Sequence, residues 1–191
     1  MKQPTLLAHT QTRELFGHHM LLHASELQLE AAEASEVGRF NHCLAAVVMT
    51  SLAVEALLNA VGSRVANDWA AFERSNPLEK LSYLRTVLQF PFDPLASTWS
   101  ILQELGALRN DLAHAKPQGI RETKTYAEHV ANSFLSHRPL STLERQITVG
   151  NAQRFINAVQ ELKGILTDHL EPELRFGIYV DAWSGSISRH P

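Results

Sequence analysis

The chain has 191 residues, 45% of them hydrophobic and 19% charged, with 17 Lys and Arg against 20 Asp and Glu for a formal charge of −3. Such a chain builds one hydrophobic core, which excludes a disordered or collagen-like protein, and its lone Cys43 excludes an internal disulfide scaffold and suits a reducing, cytoplasmic compartment. The slightly acidic balance excludes an extended basic surface for wrapping nucleic acid, so any such contact has to be local.

The most apolar run, Cys43 to Val54, is interrupted by Thr50 and Ser51 and falls short of the roughly 18 residues of a membrane span. Met1 to His23 lacks the continuous apolar region of a secretory signal. Neither membrane insertion nor export is expected. Apolar residues recur at spacings of three and four, separated by good helix formers, and predict an all-α protein.

A first helix is expected over about Thr10 to Ala34, with Phe16, Met20, His23 and Leu27 on one stripe and Leu15, Leu22 and Leu29 on another. The second should start at Val37 or Gly38 and run to Val61, with Gly62 as its stop. A polar connector carrying Trp69 and Phe72 follows. Asn76 as N-cap and Pro77 in the first turn then open a Leu-rich helix that ends before Pro91. Pro91 to Pro94 reads as a turn. The next helix carries Trp99, Leu102, Leu105, Leu108 and Leu112 and should stop near Ala115, ahead of Pro117. Thr123 to Ser136 is a weaker helical segment, and Asn151 to Leu170 a strongly periodic one. The expected architecture is a four- to five-helix bundle forming one domain over residues 1–170, with its core at about 37–117 and an irregular, peripheral tail over 171–191. Ile178, Tyr179 and Val180 are the one place in that tail where an extended segment could form.

Phosphate-binding glycine loops, Cys pairs at metal spacing and nucleophile elbows are all absent from the sequence. What stands out is Leu108-Arg109-Asn110-Asp111-Leu112-Ala113-His114-Ala115-Lys116-Pro117. With Leu102 set at zero on a helical wheel, Leu105, Leu108 and Leu112 cluster at about 240° to 300°, whereas Arg109 falls near about 340°, Asn110 near about 80° and His114 near about 120°. The three polar residues thus flank the core side, beside the small residues Gly106, Ala107 and Ala113. Two chemistries fit this pattern. Arg109, His114 and Lys116 suit a helix C-terminus, where cations meet the last carbonyls. They also suit an anion cleft, since Arg offers a fork to phosphate oxygens and His exchanges protons near neutrality.

The segment resembles the signature of the HEPN superfamily, in which an Arg, followed by a polar residue that is often Asn, precedes a His by four to six residues. Arg109-Asn110 and His114 match with four residues between. The resemblance covers about Phe40 to Pro117 and includes a preceding long helix containing Ser51-Leu52-Ala53-Val54-Glu55-Ala56-Leu57-Leu58. It implies an all-helical homodimer without a cofactor that cuts RNA independently of metal, at a composite site where two motif helices meet. It implies further that His114 acts as general acid/base and Arg109 holds the scissile phosphate, with Asn110 orienting its neighbours. RNA, an antitoxin or a nucleotidyltransferase are the partners it implies; a homodimeric nucleotide- or protein-binding module without cleavage is the alternative. Glu55, set among apolar residues, needs a basic partner, Arg109 or another, in a site role, in a purely structural ion pair or at the rim of the core, and joins Lys116 as a supporting residue. His19 and His23, four residues apart, are the one candidate zinc pair and lack further ligands at suitable spacing, so a packing role is favoured.

Overall fold

The computed structural model describes residues 7–91, 97–123, 138–180 and 182–189; for residues 7–13, Ser97 and 182–189 only the backbone is described. In chain order it contains β1 (Leu7–Glu14), α1 (Gly17–Ala34), α2 (Arg39–Val65), a 3-10 turn (Trp69–Ala71), α3 (Pro77–Leu88), α4 (Ser97–Ala113), α5 (Thr142–Gln146), α6 (Val149–Asp168), α7 (Pro172–Arg175) and β2 (Ala182–Arg189). The domain is all-α, as the spacing predicts, with a two-stranded ribbon where its first and last described segments meet.

The centre is α2. Its residues Ala46, Val47, Ala53, Leu57, Leu58 and Val61 are completely buried. Gly38, at φ 76°, begins this helix and closes a hairpin with α1, whose Leu22, Leu29 and Ala32 face it. α6 lies against α1, α2 and α4, through Phe155, Val159, Leu162 and Leu166, and α3 packs on α2. By length and a mean hydropathy of 1.9, α2 could cross a membrane, but here its apolar side makes the core of this chain.

Local chemistry explains most boundaries. Asn76 accepts from the backbone N–H groups of Leu78 and Glu79, while the Glu79 carboxylate accepts from the Asn76 N–H, a reciprocal cap with Pro77 behind it. Ser141 and Glu144 repeat that arrangement at α5, a helix the apolar spacing does not reveal. Gln89, at φ 55°, ends α3 two residues before Pro91. Much of the Pro91 to Pro94 turn and nearly all of the Thr123 to Ser136 helix lie outside the described residues.

Three expectations need correction. The first helix starts at Gly17, because Thr10 to Glu14 belong to β1, which pairs antiparallel with β2 from Leu7 opposite Arg189 to Glu14 opposite Ala182. Of the two stripes, one keeps Leu22 and Leu29 buried but leaves Leu15 exposed, and the other buries only Phe16, with Met20, His23 and Leu27 exposed. Gly62 does not end α2: the Trp69 ring lies where a side chain would go, 2.2 Å from an ideal Cβ, so this glycine serves close packing inside the helix.

The tail, finally, is not irregular. α7 and the turn after it are clamped to the bundle, with the His18 Nε2–H donating to the Ile178 carbonyl (3.0 Å) and the His19 Nε2–H to that of Gly177 (2.8 Å). Arg64 donates to the carbonyls of Leu174 (2.7 Å) and Phe176 and covers the Phe16 ring. Gly177 takes φ 84° with Phe16 packed against it, a conformation and a proximity that only glycine tolerates, and Ile178 is fully buried.

Candidate functional site

α4 presents its motif from a firmly seated helix. Leu102, Leu105 and Leu108 are buried on one side, and Glu104 is paired with Arg154 of α6. The motif face of the helix is turned outward: Arg109, Asn110 and Ala113 are exposed, and the space around Gly106 where a side chain would sit is open. The helix ends at Ala113. His114 closes the last turn through its N–H to the Asn110 carbonyl (3.0 Å), and an exposed coil continues through Lys116 and Pro117.

Arg109 and Asn110 line a groove of about 590 Å³ between α2, the start of α3 and α4. The Arg109 Nη1 donates to the Asn110 side-chain oxygen (3.2 Å), which fixes the two heads relative to each other. Across the groove stands Glu55. The floor is apolar, with Val54, Leu58, Leu81 and Leu102 all buried, and Arg74 adds a second guanidinium at the α3 end. Three of the five residues singled out by the motif reading, Arg109, Asn110 and Glu55, therefore share one cleft. His114 and Lys116 do not line it; both are exposed at the end of α4.

The partner of Glu55 is Lys80 rather than Arg109. Lys80 Nζ donates to Glu55 Oε1 (3.2 Å), and the lysine side chain is completely enclosed while the glutamate side chain is 38% exposed. The apolar pattern contained a signal for this lysine, because Lys80 shares the inward stripe of α3 with Pro77, Leu81 and Leu84, and a core-facing cation demands an acid.

The two histidines of the candidate zinc pair, His19 and His23, differ in their surroundings. Donation to the Gly177 carbonyl places a hydrogen on Nε2 of His19, and His23 is exposed. No group of three or more His, Cys, Asp or Glu residues gathers at ligand distance among the described residues. His18, beside His19, is held neutral down to about pH 4 mainly by burial, with the charges of His19, Lys163 and Arg64 acting the same way against the hydrogen bond to Ile178. His18 and His19 hold the Gly177–Ile178 turn in place. Compared with known proteins, the chain matches no family model, no curated protein and no solved structure.

Proposed function

We propose that this chain is a HEPN-like, metal-independent endoribonuclease of the cytoplasm, acting as a homodimer in a toxin–antitoxin or defence setting. The observation that carries the reading is the shared groove: Arg109, Asn110 and Glu55 converge on one cleft beside an open helix face at Gly106. In the proposed reaction, one His114 removes the proton of a ribose 2′-OH as the 2′-oxygen attacks phosphorus. The bond from phosphorus to the 5′-oxygen breaks, and the His114 of the second protomer protonates that leaving oxygen, giving a 2′,3′-cyclic phosphate. Arg109 stabilises the charge that builds on the phosphoryl oxygens, and Asn110 holds the guanidinium in position.

A net charge of −3 is compatible with this scheme, since a composite cleft gathers two copies of each cation locally. The test is to incubate the protein and its His114→Ala variant with structured RNA in EDTA and to map the ends. Cleavage with cyclic phosphate termini that disappears in the variant is the expected result; equal cleavage by both removes His114 from the mechanism. The second reading, a homodimeric HEPN-like module that binds nucleotide or protein without cutting, is favoured by one specific observation, the position of His114 outside the groove.

A further inference from the structure

The groove holds a feature that phosphate chemistry does not use. A wholly enclosed ammonium, Lys80, grips one oxygen of a carboxylate whose surface is partly open to a cleft with an apolar floor. Among the described residues, Glu55 Oε2 has no hydrogen-bond partner. We infer that this groove is a guanine-selective nucleotide subsite, in which Glu55 reads the base edge, Lys80 fixes Glu55, and Arg109 takes the phosphate. The inference rests on the ribonuclease reading for its substrate class.

Donors and acceptors decide which base fits. An ionised carboxylate only accepts hydrogen bonds. Guanine is the RNA base whose Watson–Crick edge offers two adjacent donors, N1–H and the 2-amino group. Adenine and cytosine set an amino group next to a ring-nitrogen acceptor, and uracil flanks its single N–H with two carbonyls, so each brings an acceptor against the carboxylate. Unstacked bases are read in this manner on their edges while their faces rest on apolar or planar surfaces. Val54, Leu58, Leu81 and Leu102 supply such a surface, and about 590 Å³ lies within the range of about 300–1,000 Å³ usual for small-ligand sites. Charge also fits. Lys80 and Glu55 neutralise each other, which leaves Arg74 and Arg109 as the surplus cations for the anionic end of the nucleotide.

The experiment is calorimetric titration of the full chain, in EDTA, with 5′-GMP, 5′-AMP, 5′-CMP and 5′-UMP. GMP is expected to bind about tenfold tighter than the others, the scale of one well-formed base-edge contact. Glu55→Gln keeps a carbonyl for Lys80 but presents an amide donor, and should bring GMP down to the level of the other three. Arg109→Ala should weaken all four nucleotides alike. 5′-IMP, which lacks the 2-amino group, probes the same contact without altering the protein and should bind more weakly than GMP. Equal affinity of wild type for the four nucleotides, or an undiminished GMP preference in a Glu55→Gln variant that melts like wild type, overturns the inference. The outcomes separate the two readings: GMP selectivity without any RNA cleavage supports the subsite and removes the ribonuclease, whereas cleavage with equal nucleotide affinities keeps the ribonuclease and removes the subsite.

Discussion

Lys80 and Glu55 form an unequal ion pair: their charged atoms stand 3.2 Å apart, yet the lysine side chain is fully enclosed and the glutamate is 38% exposed. The two ends of the pair therefore differ in what each loses when its partner is removed. Glu55→Ala strands a buried ammonium and should cost about 2 kcal/mol or more, whereas Lys80→Met removes the buried charge, leaves a carboxylate that water can reach, and should cost about 1 kcal/mol or less. Urea unfolding of both variants checks the order; equal losses would show that Lys80 finds water or another acceptor.

Two helix-interior glycines should respond oppositely to alanine. At Gly62 the new methyl meets the Trp69 ring, and overpacking of this kind costs about 1–3 kcal/mol, more than the helix gains from alanine. At Gly164 the space is open and the same change should stabilise by about 0.5–1 kcal/mol. Thermal melts of the two single variants decide this directly.

Gly106→Ala should also stabilise an isolated protomer by about 0.5–1 kcal/mol, since its surroundings are open. If a second copy packs on this face as proposed, the methyl intrudes on the crossing. The expected combination is a higher melting temperature at low concentration together with weaker self-association in sedimentation equilibrium. Unchanged self-association would place the dimer contact elsewhere.

Stability should fall on mild acidification. The unfolded His18 takes up a proton near its ordinary value of 6.5, while the folded one resists until about pH 4, so between those values the unfolded state binds more protons. Stability is then full above about pH 6.5 and declines towards pH 4, by about 3 kcal/mol at most. Glu144 acts in the same sense as His18, the unfolded state again binding more protons, but in a lower pH window. Hydrogen bonds from Ser141 hold its carboxyl below its ordinary value, so its contribution is lost at more acidic pH as it protonates. Urea midpoints from pH 4 to 7.5 for wild type and His18→Phe separate them, and the variant should lose the upper part of the slope.

The helices were legible wherever one periodic stripe met a strong terminal signal. Asn76-Pro77 located the start of α3 to the residue, and the Leu series of α4 carried the motif to within two residues of its observed end. Legibility failed where a long-range partner set the structure. Thr10 to Glu14 become a strand because of residues about 170 positions away, and Gly62 sits within the last turn of α2 because of Trp69. At the site, spacing alone placed Arg109 and Asn110 on an open flank, whereas pairing Glu55 with Lys80 required knowing how α3 packs on α2.

The ribbon of β1 and β2 has a consequence for the order of events in folding. Joining Glu14 to Ala182 in an unfolded chain closes a loop of about 170 residues, at an entropic cost of about 4–5 kcal/mol before any other contact forms. Once α1 is docked and the clamp of His18, His19 and Arg64 has seated the turn at Gly177, only a few residues separate each strand from a fixed point. Zipping is then local and inexpensive. The two strands should therefore assemble last and open first, as a unit whose hydrogen exchange is faster than that of the helices it joins.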